Sequence, residues 1–84
     1  MRFDVAVDVR LRGGIADPAG GTIERALPAL GYEGVTEVSV GKTVRFTIEA
    51  ADATEATTQA EDLCASFLTN PVIEDASVTV EAAG

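Results

Sequence analysis

The stretch "VSVGKTVRF", Val38 to Phe46, decides the fold. It contains Gly41-Lys42-Thr43, the tail of a phosphate-binding loop of the form G-x-x-x-x-G-K-[ST]. In such a loop backbone amides cradle the phosphate, the lysine reaches it and the hydroxyl holds Mg²⁺. The leading glycine belongs at position 36, where Thr36 stands. Downstream, Val44, Phe46 and Ile48 alternate with Arg45, Thr47 and Glu49, which is the period of a strand and not of a helix. Without a helix N-terminus there is no anion cradle, so the motif reads as a turn and not as a nucleotide site. Upstream, Val38 and Val40 alternate with Glu37 and Ser39. The segment therefore predicts a hairpin. A three-residue loop, Gly41 to Thr43, pairs Val40 with Val44 and Val38 with Phe46, which keeps the apolar residues on one face.

At 84 residues, 46% of them hydrophobic, the chain is read as one domain, residues 1–84, with enough apolar material for a core. No apolar run approaches the roughly 20 residues that span a bilayer. The N-terminus enters a strand with no signal-like stretch before it. Cys64 stands alone, which fits a reducing compartment. A soluble, cytoplasmic protein is expected. With a net charge of −8 and acids outnumbering bases 14 to 6, nucleic acid and anionic membrane are disfavoured as partners. A protein surface suits this charge better.

Phe3, Val5, Val7, Val9 and Leu11 alternate with polar or small residues and predict a half-buried first strand. Asp17-Pro18 is a helix start, an N-cap acceptor followed by the residue suited to the first helical position. Ile23, Ala26, Leu27 and Leu30 then form an apolar stripe, and Gly31 suits the position just past the helix. Gly20-Gly21 weakens the first turn of this helix, and Pro28 shortens the last. After the hairpin, Val35–Val40 and Val44–Ala50, Asp52 and Glu55 have capping spacing. Ala56, Ala60, Leu63, Cys64 and Phe67 make a second stripe, ended by Asn70-Pro71. A strand through Val72–Val80 comes next, with Ala76, Val78 and Val80 on one face and a frayed Ala82-Ala83-Gly84 tail. The order β-α-β-β-α-β predicts an α+β two-layer sandwich: a four-stranded antiparallel sheet in the ferredoxin-like order 4-1-3-2, with two helices on one face. The other sheet face is free and mixed polar, carrying Asp4, Asp8, Arg10, Arg45 and Thr47.

The residues offer little chemistry. There is no histidine, hence no usual general base, zinc ligand or Cys-His pair. Cys64 lies on an apolar stripe and reads as an inert core thiol. Glu61-Asp62 on a helix and Glu74-Asp75 on a strand point apart within each pair. Gly13-Gly14 beside Arg10 and Arg12 is the one anion-loop candidate, but Pro18 removes an amide from the helix start beyond it. A domain that binds or assembles, with no catalytic or metal-ligating residue and no cofactor of its own, is the expectation.

Two segments, "ADPAGGTIERALPALGYEGV" (Ala16 to Val35) and "FLTNPVIEDASVTVE" (Phe67 to Glu81), together with "VGKTVRFTIE", resemble the PurS family, the small subunit of phosphoribosylformylglycinamidine (FGAM) synthase. Asp17, Pro18 and Gly20 match its helix start, Ala26 and Leu27 its Ala-Leu pair, Gly31 and Tyr32 its Gly-aromatic turn, and Gly41 and Lys42 its hairpin. Leu68, Asn70, Val72, Ile73, Glu74 and Asp75 match its C-terminal pattern. Ala16, Thr69 and Ala76 depart from it, and these departures bear on partner geometry. The resemblance implies a non-catalytic subunit that dimerises and joins a large synthetase subunit to a glutaminase subunit. That assembly converts formylglycinamide ribonucleotide, glutamine and ATP into FGAM, glutamate, ADP and phosphate, with ATP and magnesium held by the large subunit. Asp17, Lys42, Asn70, Ile73, Glu74 and Asp75 are the candidate interface residues. Ile73 points away from the core face of its predicted strand, so in a monomer it is expected to be wet. A small-ligand-binding regulatory domain of the ACT type, which shares the element order, is the alternative; its ligand would sit near Gly13-Gly14.

Overall fold

A computed structural model describes residues 1–83. Its centre is β1, Arg2–Leu11, where Phe3, Val5, Val7 and Val9 are buried and the residues between them are exposed or half-exposed. The period-2 pattern therefore becomes one apolar face, as pleating requires. β2, Lys42–Glu49, and β3, Glu74–Ala82, flank it in an antiparallel sheet of order β2-β1-β3. The register sets Val5 against Phe46 on one side and Val80 on the other, and Val7 against Val44 and Val78. The sheet's apolar face is closed by α2, Ala53–Leu63, through Ala56, Ala60 and the adjoining Cys64, all buried. Asp52 caps this helix, its Oδ1 accepting the Glu55 amide at 2.8 Å. No helix among the described residues is long and apolar enough to cross a membrane.

Several features differ from the sequence expectation. Among the described residues the sheet has three strands, not four, and no hairpin closes at Gly41-Lys42-Thr43. Lys42 and Thr43 already belong to β2, paired with Val9 and Asp8, and residues 35–40 lie outside the sheet. The parity expected for Val44, Phe46 and Ile48 nevertheless holds, since all three pack against the core. The first helix, α1 (Pro18–Ala26), begins at its Asp17 cap and stops before Pro28, which opens a single 3₁₀ turn, Pro28–Leu30, ended by Gly31 at φ 92°. It does not lie on the sheet: its one buried residue is Gly20, and Ile23 is 46% exposed.

A further difference is in the turn that extends α2. Residues Cys64–Leu68 widen to a π turn in which the Thr69 amide reaches back to the Cys64 carbonyl at 3.0 Å. One extra residue per turn rotates every later side chain by about 100°. Leu68 turns inward as a result, and Phe67, expected in the core, stands 80% exposed. Leu63, from the same stripe, is 36% exposed. At the other end β3 starts at Glu74, and Val72 is 79% exposed. Ala76, expected on the core face, is exposed, while Val78 and Val80 are half-buried. Ala82 and Ala83 do not fray: Ala82 pairs with Phe3 and the Ala83 amide donates to the Arg2 carbonyl at 2.9 Å. Gly84 lies outside the described residues.

An arm of residues 12–41 thus leaves one end of the sheet. The radius of gyration is 16.5 Å and the extents are 51 × 30 × 14 Å, against a radius of about 12 Å for a compact chain of this length.

Candidate assembly surface

β1 ends, and β2 and β3 begin, at the same end of the sheet, and the candidate interface residues gather there. Asp17, Lys42 and Glu74 line one hollow with Val9, Leu11 and Val40. Asn70, Ile73, Glu74 and Asp75 form the turn into β3. That turn is held by its own polar groups. Asn70 Oδ1 accepts the Val72 amide at 3.1 Å, and the Asn70 carbonyl accepts the amides of Ile73 (3.1 Å) and Glu74 (2.8 Å). In return the Asn70 amide donates to Glu74 Oε1 at 2.7 Å. An aspartate- or asparagine-led turn of this kind replaces the helix's lost backbone bonds once Pro71 has stopped it. Ile73, expected to be wet, is half-buried: its carbonyl accepts the Arg12 amide at 2.8 Å, which ties the turn to the end of β1.

Arg10 and Arg12, considered above for an anion loop, are directed to β3 instead. Arg12 Nε lies 3.4 Å from the Glu74 carbonyl and 3.4 Å from Asp75 Oδ1, and Arg10 Nη2 donates to Ser77 Oγ at 3.4 Å. These contacts are solvent-exposed, so they fix orientation more than they stabilise.

Asp17 is the organising residue of the arm. Its Oδ1 accepts the Gly20 amide and its Oδ2 the Val40 amide, both at 2.9 Å. The Gly20 bond first and the Val40 bond second hold its carboxyl below the ordinary value, because hydrogen bonds to the charged form favour it. Glu24 Oε1 accepts the Val38 amide at 2.9 Å in the same way. Two carboxylates about two helical turns apart thus hold alternate amides of one extended segment. Nothing in the local sequence pattern marks Glu24 for this role. Gly20 did leave a signal, as a weak helix former in a first turn. A Cβ at that position would run into the Val38 carbonyl, so the glycine permits the close approach of segment and helix.

The arm carries six of the large apolar side chains that the described residues leave exposed. Of ten large hydrophobic side chains that are exposed among the described residues, Ile15, Ile23, Leu30, Tyr32, Val35 and Val40 are on it. Isolated exposed apolar residues are ordinary, but a contiguous set marks an interaction surface. On the body, Phe67 and Val72 add a second apolar area beside the turn that holds Asn70 and Ile73. The opposite sheet face is polar. Thr43 donates to Asp8 Oδ1 at 2.7 Å and Thr47 to Asp4 Oδ1 at 3.3 Å across it. Cys64 is buried, and desolvation, with Glu61 nearby as the second cause, raises its thiol pKa, which suits a core residue.

Residues 4–82 match the family model PurS, phosphoribosylformylglycinamidine (FGAM) synthase. The chain is 39% identical over 80 residues to the FGAM synthase subunit PurS of Methanothermobacter thermautotrophicus, covering 95% of this chain and 94% of that protein. It is similar to the crystal structure of Methanocaldococcus jannaschii PurS, described as one of the subunits of formylglycinamide ribonucleotide amidotransferase, with TM-score 0.87 and 33% identity over 98% of this chain and 99% of the other. It also resembles a chain of the PurLQS structure from Thermotoga maritima, with TM-score 0.88 and 32% identity over 96% and 99%. The chain belongs to the PurS family, a subunit family of FGAM synthase.

Proposed function

We propose that this chain is the assembly subunit of FGAM synthase, acting in the cytoplasm as a homodimer that docks the large synthetase subunit to the glutaminase subunit. The reaction served is the conversion of formylglycinamide ribonucleotide, glutamine, ATP and water into FGAM, glutamate, ADP and phosphate. Glutamine hydrolysis releases ammonia, which must reach the ATP-activated amide before water dilutes or protonates it. A subunit that holds the two sites in register supplies the closed path that such a reactive intermediate needs. ATP and magnesium enter through the large subunit, and this chain contributes surface. Family membership decides between this reading and the small-ligand-binding alternative.

The observation that carries the reading is the arm. A chain of a multi-subunit synthase family presents six large apolar side chains on one extension, and burying them calls for another chain. Asp17, Lys42, Asn70, Ile73, Glu74 and Asp75 are the residues we place at the docking end of the sheet. The test is synthesis by purified large and glutaminase subunits with and without this chain. Glutamine-dependent synthesis is expected to require it and ammonia-dependent synthesis by the large subunit is not; equal glutamine-dependent rates in both cases overturn the reading. Lys42 is exposed at the start of β2. Lys42→Glu is expected to weaken co-elution with the two larger subunits while leaving the melting temperature unchanged, and unaltered co-elution removes Lys42 from the docking surface.

A further inference from the structure

The charge of this chain is not evenly spread. Residues 46–84 hold eight Asp and Glu and no Lys or Arg, whereas residues 1–45 hold six of each, so the whole formal charge of −8 lies in the C-terminal half. In the fold that half is the end of β2, then α2 with its π turn, then β3. Charge placed on one side in this way steers association and selects a partner of opposite sign. Part of it converges on a single place. Glu61 near the end of α2 and Glu74 and Asp75 at the start of β3 line one hollow, together with Ala65, Thr69 and Pro71. The one cation lining it is Arg12, which is already engaged, with Nε 3.4 Å from Asp75 Oδ1. Glu61 takes part in no ion pair among the described residues.

Two apolar side chains flank Thr69 and Pro71 along the chain. Phe67 is 80% exposed and Val72 79%, more than any other large hydrophobic residue among the described ones. The backbone holds both outward. Phe67 belongs to the second apolar stripe by sequence, and the π turn Cys64–Leu68 puts Leu68 inward in its place. That turn is closed twice onto the Cys64 carbonyl, which accepts the Thr69 amide at 3.0 Å and the Thr69 hydroxyl at 2.9 Å. Single π turns are rare in helices and recur at functional sites. Val72 is fixed by the Asn70 side chain, which accepts its amide at 3.1 Å. An exposed aromatic residue with a polar, charged rim has the anatomy of a protein docking site.

We infer that Phe67 and Val72, with the carboxylates of Glu61, Glu74 and Asp75 at their rim, form a docking patch for another subunit of the synthase, whose complementary surface is an apolar recess edged by Lys and Arg. This rests on the assembly role proposed above and adds the chemistry of the surface that is recognised. Phe67 and Val72 enter the recess, and Glu61, which has no ion pair within the chain, meets a cation. A second copy of this chain does not fit. An isologous contact would set these carboxylates against themselves, and like charges across an interface repel. Nucleic acid and anionic membrane are excluded by the same sign.

The test is a titration of this chain into the purified synthetase and glutaminase subunits, read as the concentration that gives half-maximal glutamine-dependent synthesis. Phe67→Ser and Val72→Ser are each expected to raise that concentration at least about tenfold. Neither side chain is in the core, so both variants are expected to melt where the unsubstituted chain does. Glu61→Lys is expected to raise the half-maximal concentration several-fold at about 50 mM salt and to converge on the unsubstituted chain at about 0.5 M, where exposed charges are screened. Glu81→Lys makes the same charge change beside Asp4 on the polar sheet face and is expected to shift it by less than about twofold. Unchanged values for Phe67→Ser and Val72→Ser overturn the patch, and equal effects of Glu61→Lys and Glu81→Lys overturn its basic partner. A shift at Phe67 accompanied by loss of self-association in sedimentation assigns the patch to a second copy and overturns the inference. If synthesis is indifferent to the unsubstituted chain at every concentration, the assembly role itself fails and the inference with it.

Discussion

Asp17 Oδ2 accepts the amide hydrogen bond of Val40 at 2.9 Å, across 23 residues of chain. The same carboxylate caps α1 through the Gly20 amide, so one side chain ties the start of the arm's helix to the segment that leads into β2. Its pKa lies below the ordinary 3.8 because of those two amides, in that order, with burial opposing weakly. A carboxyl whose folded pKa is depressed holds its partners fully above the unfolded value and releases them as pH falls through the folded one. The Val40 amide is therefore expected to keep its protection from hydrogen exchange down to about pH 4 and to lose it below. Asp17→Asn is expected to abolish that pH dependence. An amide whose protection does not change between about pH 5 and pH 2 would show that Asp17 does not hold the segment.

Gly20 and Gly21 are neighbours in one helical turn with opposite expected responses to alanine. Alanine favours a helix over glycine by about 1 kcal/mol. At Gly21 the added Cβ meets only the mobile Arg25 side chain, with Nη1 at 3.1 Å, so Gly21→Ala is expected to stabilise by up to that amount. At Gly20 the Cβ meets the Val38 backbone carbonyl and lies 2.7 Å from Asp17 Oδ2. Overpacking against backbone costs about 1–3 kcal/mol, which outweighs the propensity gain. Gly20→Ala is expected to lower the melting temperature by roughly 4–8 °C per kcal/mol lost and to expose the Val38 amide, while Gly21→Ala raises it. Equal responses at the two positions would mean that the segment does not press on the helix.

What could be read from the sequence here was local. The alternation of Phe3 to Val9 set the central strand, and Asp17, Pro28, Gly31 and Asp52 set helix ends where the structure has them. The alternation of Val38, Val40, Val44 and Phe46 identified which residues share a face, but not whether the chain turns back at Gly41. A closed turn and an open hinge satisfy the same side-chain pattern, and the choice depends on where a complementary edge is available. Phe67 was misplaced for a different reason: one π turn shifts every later residue by about 100°, and nothing in the composition of Cys64–Leu68 announces it. Of the candidate interface residues, Asn70 and Glu74 are bonded to each other within one turn, while Arg12 reaches Glu74 and Asp75 from the far end of β1, a contact across at least 62 residues of chain that a linear reading does not supply.

Cys64 sits between α2 and β1, 5% exposed, in the cluster with Val5, Val7, Val9 and Ala60. Burial, and Glu61 after it, keeps its thiol protonated beyond the ordinary 9.0. The thiolate is the reactive form, so labelling by a disulfide reagent at neutral pH is expected to be slow in the native protein and fast in denaturant. With the folded pKa raised, the neutral thiol's contribution to stability is complete below 9.0 and is lost as pH rises through the folded value. Cys64→Ala is expected to remove that alkaline loss. Rapid native labelling would show that the α2 layer opens readily above the sheet.

Ile23 lies on the exposed apolar stripe of α1 and Arg25 two residues on, about 200° round the helix. If the stripe is covered by another copy, Ile23→Asp and Arg25→Asp introduce the same side chain with opposite consequences. Removing a buried isoleucine forfeits about 1.5–3 kcal/mol, and a symmetric dimer contains the site twice. At about 1.4 kcal/mol per tenfold, Ile23→Asp is expected to raise the dimer dissociation constant more than about 100-fold. Arg25→Asp adds its carboxylate on the solvent side and is expected to change the constant by less than about tenfold. Sedimentation velocity over a concentration series reads both. Equal, small effects at the two positions would place the stripe in solvent and require the arm's apolar surface to be buried by a different subunit.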